Sequence, residues 1–205
     1  MKKLVRAFAL ALPLALPLHA RAAEVARAPG AAEAKPASPA SPASTDAKAA
    51  PVPAAKAAVW KEHQLADVGI AVKLPGDPER TETSQGAVTI LTYGVELGGG
   101  APSFGVLCMS FQGVDEDFPA AALDQMSAAM ARQPGMKVTR DEKLTVAGLP
   151  ARHVETSAVN GDERMAVRIV LGRARVYQLM AMGKGPRSLA GPEVKAFFDS
   201  FRRLP

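Results

Sequence analysis

The sequence predicts an α+β fold, an antiparallel β-sheet sandwiched between helices, confined to residues 59–205. Three observations predict it. Short runs of alternating apolar residues are bounded by glycine, proline and Asn-Gly signals, as strands and hairpins require. Only two stretches, one between Asp117 and Pro134 and one after Gly191, carry helical periodicity. The run Arg175–Met182 is apolar on both faces, which places it in a sheet covered on both sides.

Taken in order, Val68, Ile70 and Val72 alternate in a strand that ends at Leu74-Pro75-Gly76. Two more strands are expected near Glu79–Thr83 and Ala87–Leu97. The glycines at 98–100 then let the chain reverse into Ser103–Gln112, and these four runs read as an antiparallel meander. Asp117 and Pro119 mark a helix start and Pro134-Gly135 its stop. Between them Leu123, Met126 and Met130 stand at i, i+3, i+7 with Ala122 and Ala129 alongside, an apolar face for packing on a sheet.

Four further strands are expected near Lys137–Val146, Ala151–Ala158, Glu163–Leu171 and Arg175–Met182. Asn160-Gly161 lies between the second and third, where that dipeptide would supply the positive φ angles of a tight hairpin turn. In Glu163–Leu171, Met165, Val167, Ile169 and Leu171 share one face, and Arg164, Ala166, Arg168 and Val170 the other. Gly191-Pro192 opens the last helix, in which Val194, Phe197, Phe198 and Phe201 fall on one face that must be buried.

Upstream of this domain the chain changes character. Lys2, Lys3 and Arg6 precede the twelve apolar residues Ala7–Leu18, and Ala20 and Ala22 make an A-x-A site. A bilayer-spanning helix needs about 20 residues, so residues 1–22 read as a cleavable signal peptide. Residues 23–58 are Ala, Pro, Ser and scattered Lys, with no aromatic residue. Such a segment buries too little apolar surface to offset the entropy of ordering it, so a disordered linker is expected. The product is expected in the periplasm or secreted, with no transmembrane segment after cleavage.

Charge follows the same division. The formal +5 resides wholly in residues 1–58, whereas residues 59–205 hold 17 basic and 17 acidic side chains. The basic balance therefore reports targeting and gives no warrant for nucleic-acid binding.

Several short motifs resemble secreted bacterial proteins of the PsbP-like (Mog/PsbP) superfamily: Trp60, Asp67-Val68-Gly69-Ile70 leading to Leu74-Pro75-Gly76-Asp77-Pro78, Tyr93, Ala147-Gly148-Leu149-Pro150-Ala151, Arg168-Ile169-Val170-Leu171, Arg175-Val176-Tyr177-Gln178-Leu179 and Phe197-Phe198-Asp199-Ser200-Phe201. The resemblance spans essentially all of residues 59–205. It implies a PsbP-like α/β/α sandwich and members that mostly bind or support other proteins. The metal-associated and docking residues of the photosystem members have no positional match here.

No catalytic, cofactor-binding or metal signature is assigned. His63 and His153 are the only histidines outside the leader. His153 shares a strand face with Glu155, a metal or titrating pair on one reading and an ordinary sheet-edge histidine on the favoured one. Cys108, alone in an apolar run, is expected to be a buried free thiol. Gly183-Lys184-Gly185-Pro186-Arg187-Ser188 stands where phosphate loops occur but lacks their spacing, and is read as a flexible connection. Asp115, Glu116 and Asp117 are read as a charged approach to a helix N-terminus with no calcium role. The expected function is an exported, non-catalytic binding or accessory module of the cell envelope with a protein partner, hence not an enzyme. Two alternatives stand beside it. The eight methionines suggest a periplasmic carrier of a lipid or other apolar small molecule. Arg168, Arg175, Tyr177 and His153 are the residues from which an unrecognised enzyme site would be built.

Overall fold

The computed structural model describes residues 58–98 and 100–205. The expected signal peptide, and the linker up to residue 57, lie outside the described residues.

Among the described residues, ten strands and two helices follow one another as β1 Trp60–Leu65, β2 Ile70–Pro75, β3 Glu79–Gln85, β4 Val88–Val95, β5 Ser103–Phe111, α1 Ala121–Ala131, β6 Met136–Val146, β7 Leu149–Ala158, β8 Glu163–Gly172, β9 Arg175–Lys184, α2 Pro192–Asp199 and β10 Arg202–Arg203. Seven strands form one antiparallel sheet in the order β3-β4-β5-β9-β8-β7-β6, and β1-β2-β10 form a second, smaller one. After β5 the chain crosses through α1 to the far edge and winds back inward. Two hairpin ribbons thus meet at the β5–β9 seam, where Phe104 pairs with Ala181 and Cys108 with Tyr177.

Alternation along the strands gives the large sheet two apolar faces. On one, Met109, Val154, Met165, Val167, Ile169, Leu171, Val176 and Met180 pack with Leu123, Met126 and Met130 of α1. On the other, Phe104, Val106, Cys108, Ala166, Val170, Leu179 and Ala181 pack with Ile70, Val72 and Leu74 of β2 and with Val194, Phe197 and Phe198 of α2. Phe197 is fully buried, edge-on to Phe104 at 5.2 Å between ring centroids.

The sandwich between helices therefore holds only in part. A helix alone covers one face, while the other is shared between α2 and the small sheet. The strand expected at Val68–Leu74 is not part of the meander. It pairs with β1 on one side and β10 on the other, and its Ile70, Ala71, Val72 and Leu74 have no solvent exposure. Strand β1 escapes sequence reading because Lys61, Glu62 and Gln64 leave it with little apolar patterning.

The hairpin at Asn160-Gly161 is real, but its turn is not the expected one. Val159–Asp162 form a four-residue connection, and neither Asn160 nor Gly161 has positive φ. Such longer loops are commonly built on type I turns, which need no left-handed residue. The left-handed pair instead lies at Ala147-Gly148, with φ of 49° and 78°, in the two-residue loop between β6 and β7. The reversal at the glycine run is as expected, with Gly98 at φ 70° and Gly100 at φ 82°.

Candidate functional site

The polar residues singled out by sequence fall into separate constellations. The first is the turn between β1 and β2. The Val68 carbonyl accepts hydrogen bonds from Arg175 Nη1 at 2.7 Å and from the Tyr177 hydroxyl at 3.0 Å, and the Gly69 carbonyl accepts one from Leu204 N at 2.9 Å. The side chain of Asp67 accepts from the Tyr93 hydroxyl and, at 3.0 Å, from Arg80 Nε. Burial works against charge on Asp67, but the Tyr93 and Arg80 hydrogen bonds outweigh it and hold the carboxyl below its ordinary range. Burial, with the Asp67 hydrogen bond, pushes the Tyr93 phenol up to about 12. Arg175 and Tyr177 are thus committed to holding the small sheet on the large one. The role of Asp67 and Tyr93 was not legible in sequence, because the two stand 26 residues apart with no spacing signature.

The second constellation gathers at the C-terminal end of α2. His153 and Arg168 are direct cross-strand partners on β7 and β8. The His153 ring meets Phe198 edge-on at 5.1 Å, and the Arg168 guanidinium lies 5.0 Å from the centre of the same ring. Arg168 Nη1 donates to the Phe198 carbonyl at 2.9 Å and to Asp199 Oδ1 at 3.2 Å, so a cation caps the negative end of the helix. His153 Nε2 lies 3.3 Å from Glu155 Oε1, an oxygen that also accepts from Arg140 Nη1 at 3.3 Å. Burial pulls the His153 imidazole below its ordinary pKa, and this outweighs the opposing pull of Glu155.

Of the four residues weighed for an enzyme site, the structure thus brings His153 and Arg168 together and ties Arg175 and Tyr177 to Val68. Cys108 has no solvent exposure, and burial pushes its thiol up to about 11, against nucleophilic character. The loop after Asp115 is held by its main chain, with Arg173 Nε donating to the Asp115 carbonyl at 2.8 Å. The 183–188 connection, expected to be flexible, carries hydrogen bonds in this structure. Gly185 N donates to the Asp162 carbonyl at 2.7 Å, and Ser188 Oγ to the Gly185 carbonyl at 2.9 Å.

Two surface features remain. A cleft of about 370 Å³ opens between the start of α1 and the β6–β7 turn, lined by Ala120, Ala121, Leu144, Pro150 and Ala151, with the ion-paired Asp124 and Lys143 at its side. On the α1 face, the helix lies over β6 and β7, and Val88, Ile90 and Leu107 on β4 and β5 stay half-buried beside Thr92. Among the described residues, no helix is long and apolar enough to cross a membrane.

The domain is an α+β fold of mostly antiparallel sheet, similar in fold to a solved PsbP structure. Among solved structures, it is similar to CyanoP, the PsbP of the cyanobacterium Synechocystis sp. PCC 6803, with a TM-score of 0.52 and 9% identity over 77% of this chain and 99% of CyanoP. That likeness is one of fold. Similarity extends to PA94, a protein of unknown function from Pseudomonas aeruginosa, at a TM-score of 0.46 and 18% identity over 71% of this chain and 98% of that one. LpqN, involved in cell envelope biogenesis of Mycobacterium tuberculosis, matches at 0.45 and 15% identity over 72% and 91%. No family model and no curated protein matches the sequence.

Proposed function

We propose that this chain is an exported, non-catalytic binding module of the cell envelope that engages a protein partner through the part of the large sheet left open beside α1. The observation that carries this reading is the strip Val88, Ile90 and Leu107, apolar and half-buried on adjacent strands. Three features support it. The basic n-region and apolar core of residues 1–22 suit export. A spacer of 36 residues spans roughly 30–35 Å as a flexible coil, enough to hold a domain away from a surface. The side chains an enzyme reading would need are engaged in structural contacts: Tyr177 and Arg175 at Val68, Arg168 at the end of α2.

A carrier reading has the cleft beside Ala120 and Pro150 in its favour, since about 370 Å³ falls in the range of small-molecule sites. Its lining of small side chains and one ion pair suits a short group better than an acyl chain.

The test is native mass spectrometry of protein released from its own envelope without denaturant, for the wild type and for Thr92→Arg, which plants a charge in the open strip. A second polypeptide bound to the wild type and lost from the variant, with an unchanged melt, supports the reading. A bare monomer, or a partner retained by Thr92→Arg, refutes it. An added mass of a few hundred daltons and no polypeptide would move the assignment to the carrier.

A further inference from the structure

Eight of the seventeen lysines and arginines of residues 59–205 have an acidic partner. Arg80, Arg140, Arg152, Arg168 and Arg202 are all ion-paired, as are Lys61, Lys143 and Lys195. The other nine have no ion pair among the described residues, and three of these, Lys137, Arg164 and Arg187, stand at one corner of the large sheet. Lys137 pairs across the strands with Ser157, Ser157 with Arg164, and Arg164 with Gly183, which makes a single row on the face opposite α1. Lys184, the next residue, turns to the other face across from Glu163, and Arg187 stands on the loop that follows.

That loop roofs the end of the row. A side chain on Gly183 would meet Ser188 Cβ at 2.6 Å, so the absence of one lets the loop rest on the sheet, where Gly185 N bonds the Asp162 carbonyl. Arg164 is half-buried, and its Nε is covered without an acceptor. Its stem is thus set into the sheet by packing, while its charge is left unneutralised. Glu155, on the same face as Ser157, is already engaged by His153 and Arg140, and Glu163 lies on the other face across from Lys184.

We propose that this corner binds a phosphate group, with Arg164 as the anchoring fork, the Ser157 hydroxyl beside it, and Lys137 and Arg187 flanking. Neighbouring strands stand about 4.8 Å apart, so Lys137, Ser157 and Arg164 span about 10 Å, within reach of long side chains around one anion. Donors supplied by the row and by the loop beside it suit a tetrahedral anion better than a planar carboxylate, and guanidinium matches phosphate with paired hydrogen bonds. The site lies on the opposite face from the protein-binding strip and stands independently of that reading.

Two sources offer this chemistry, a soluble phosphate ester and a phospholipid headgroup. The test is an NMR titration of the ¹⁵N-labelled full chain at constant ionic strength, with inorganic phosphate and, separately, with dihexanoyl phosphatidylglycerol below its micellar concentration. Saturable shifts at the amides of Ser157, Arg164, Gly183–Gly185, Arg187 and Ser188 are expected. Arg164→Gln should weaken binding about tenfold or more, as loss of charged hydrogen bonds does. Lys137→Gln combined with Arg187→Gln, both on exposed side chains, should also weaken it and keeps the test open if Arg164→Gln fails to fold. Tighter binding of the lipid identifies a headgroup, and equal or weaker binding a soluble phosphate. Absence of saturable shifts with either probe, or affinity unchanged in the folded variants, overturns the proposal.

Discussion

The Tyr177 hydroxyl donates a hydrogen bond of 3.0 Å to the main-chain carbonyl of Val68, 109 residues earlier in the chain. Arg175, two residues before Tyr177 on β9, donates to the same oxygen. One peptide carbonyl in a tight turn is therefore a point at which the small sheet is fastened to the large one, beside the Asp67 bonds to Tyr93 and Arg80. A buried carbonyl left without a donor is costly, which explains why two side chains converge on it.

Tyr177→Phe should lower stability by about 1 kcal/mol, because Arg175 still satisfies the carbonyl. Adding Arg175→Ala should cost more than the two single losses summed, since only the pair leaves Val68 unpaired. Urea denaturation of the four members of the cycle measures this, and simple additivity would contradict it.

Ala147 occupies the left-handed region at φ 49° without the glycine or asparagine such positions favour. An L-residue with a Cβ there is strained by roughly 1–2 kcal/mol. Ala147→Asn, which creates an Asn-Gly pair with Gly148, should raise stability by about 0.5–1 kcal/mol. An unchanged or lowered thermal midpoint would count against it.

Phe197 is fully buried and touches the rings of Phe104 and Phe198. Phe197→Ala should destabilise by about 3–5 kcal/mol. Removing residues 193–205 deletes most of α2 and all of β10, and should abolish the cooperative melt altogether. A sigmoidal calorimetric transition in that truncated chain would show that the small sheet holds without them.

His153 is held neutral by burial, with Arg168, Arg140, Glu142 and Glu155 as the charged groups around it. Its folded pKa lies below the unfolded value of about 6.5, so the unfolded chain takes up the proton first as pH falls. Folding stability should therefore be insensitive to this group above about pH 7 and decline as pH drops below about 6.5. His153→Phe should flatten that decline between pH 7 and about 5.5, a window above the range where the carboxylates titrate. Chemical denaturation at several pH values is the measurement, and parallel profiles for wild type and variant would exclude the effect.

The closing helix was legible before any tertiary information except at its end, which the sequence reading carried on to Phe201. Val194, Phe197 and Phe198 fall at helical spacing after Gly191-Pro192, and all three are buried. Phe201 is buried as well, although it stands beyond the helix, in the turn into β10. The strands at 163–172 and 175–184 were equally legible, since their apolar residues alternate and both faces are covered. The candidate surfaces were less so. The phosphate corner joins residues of β6, β7, β8 and the loop after β9, and only the loop carries a local signal.

What the sequence by itself determined is therefore local: where most of the strands and both helices run, and which residues face inward. Those properties follow from side-chain periodicity and backbone preference, which act over a few residues. Tertiary structure alone decided that β9 pairs with β5, that β2 leaves the meander to cover α2's side of the sheet, and that Arg175 and Tyr177 spend their donors on Val68. Pairing and covering depend on which apolar faces can be buried together across a hundred residues. The carbonyl that fastens the two sheets is a main-chain atom every residue possesses, so no side-chain pattern could have marked it.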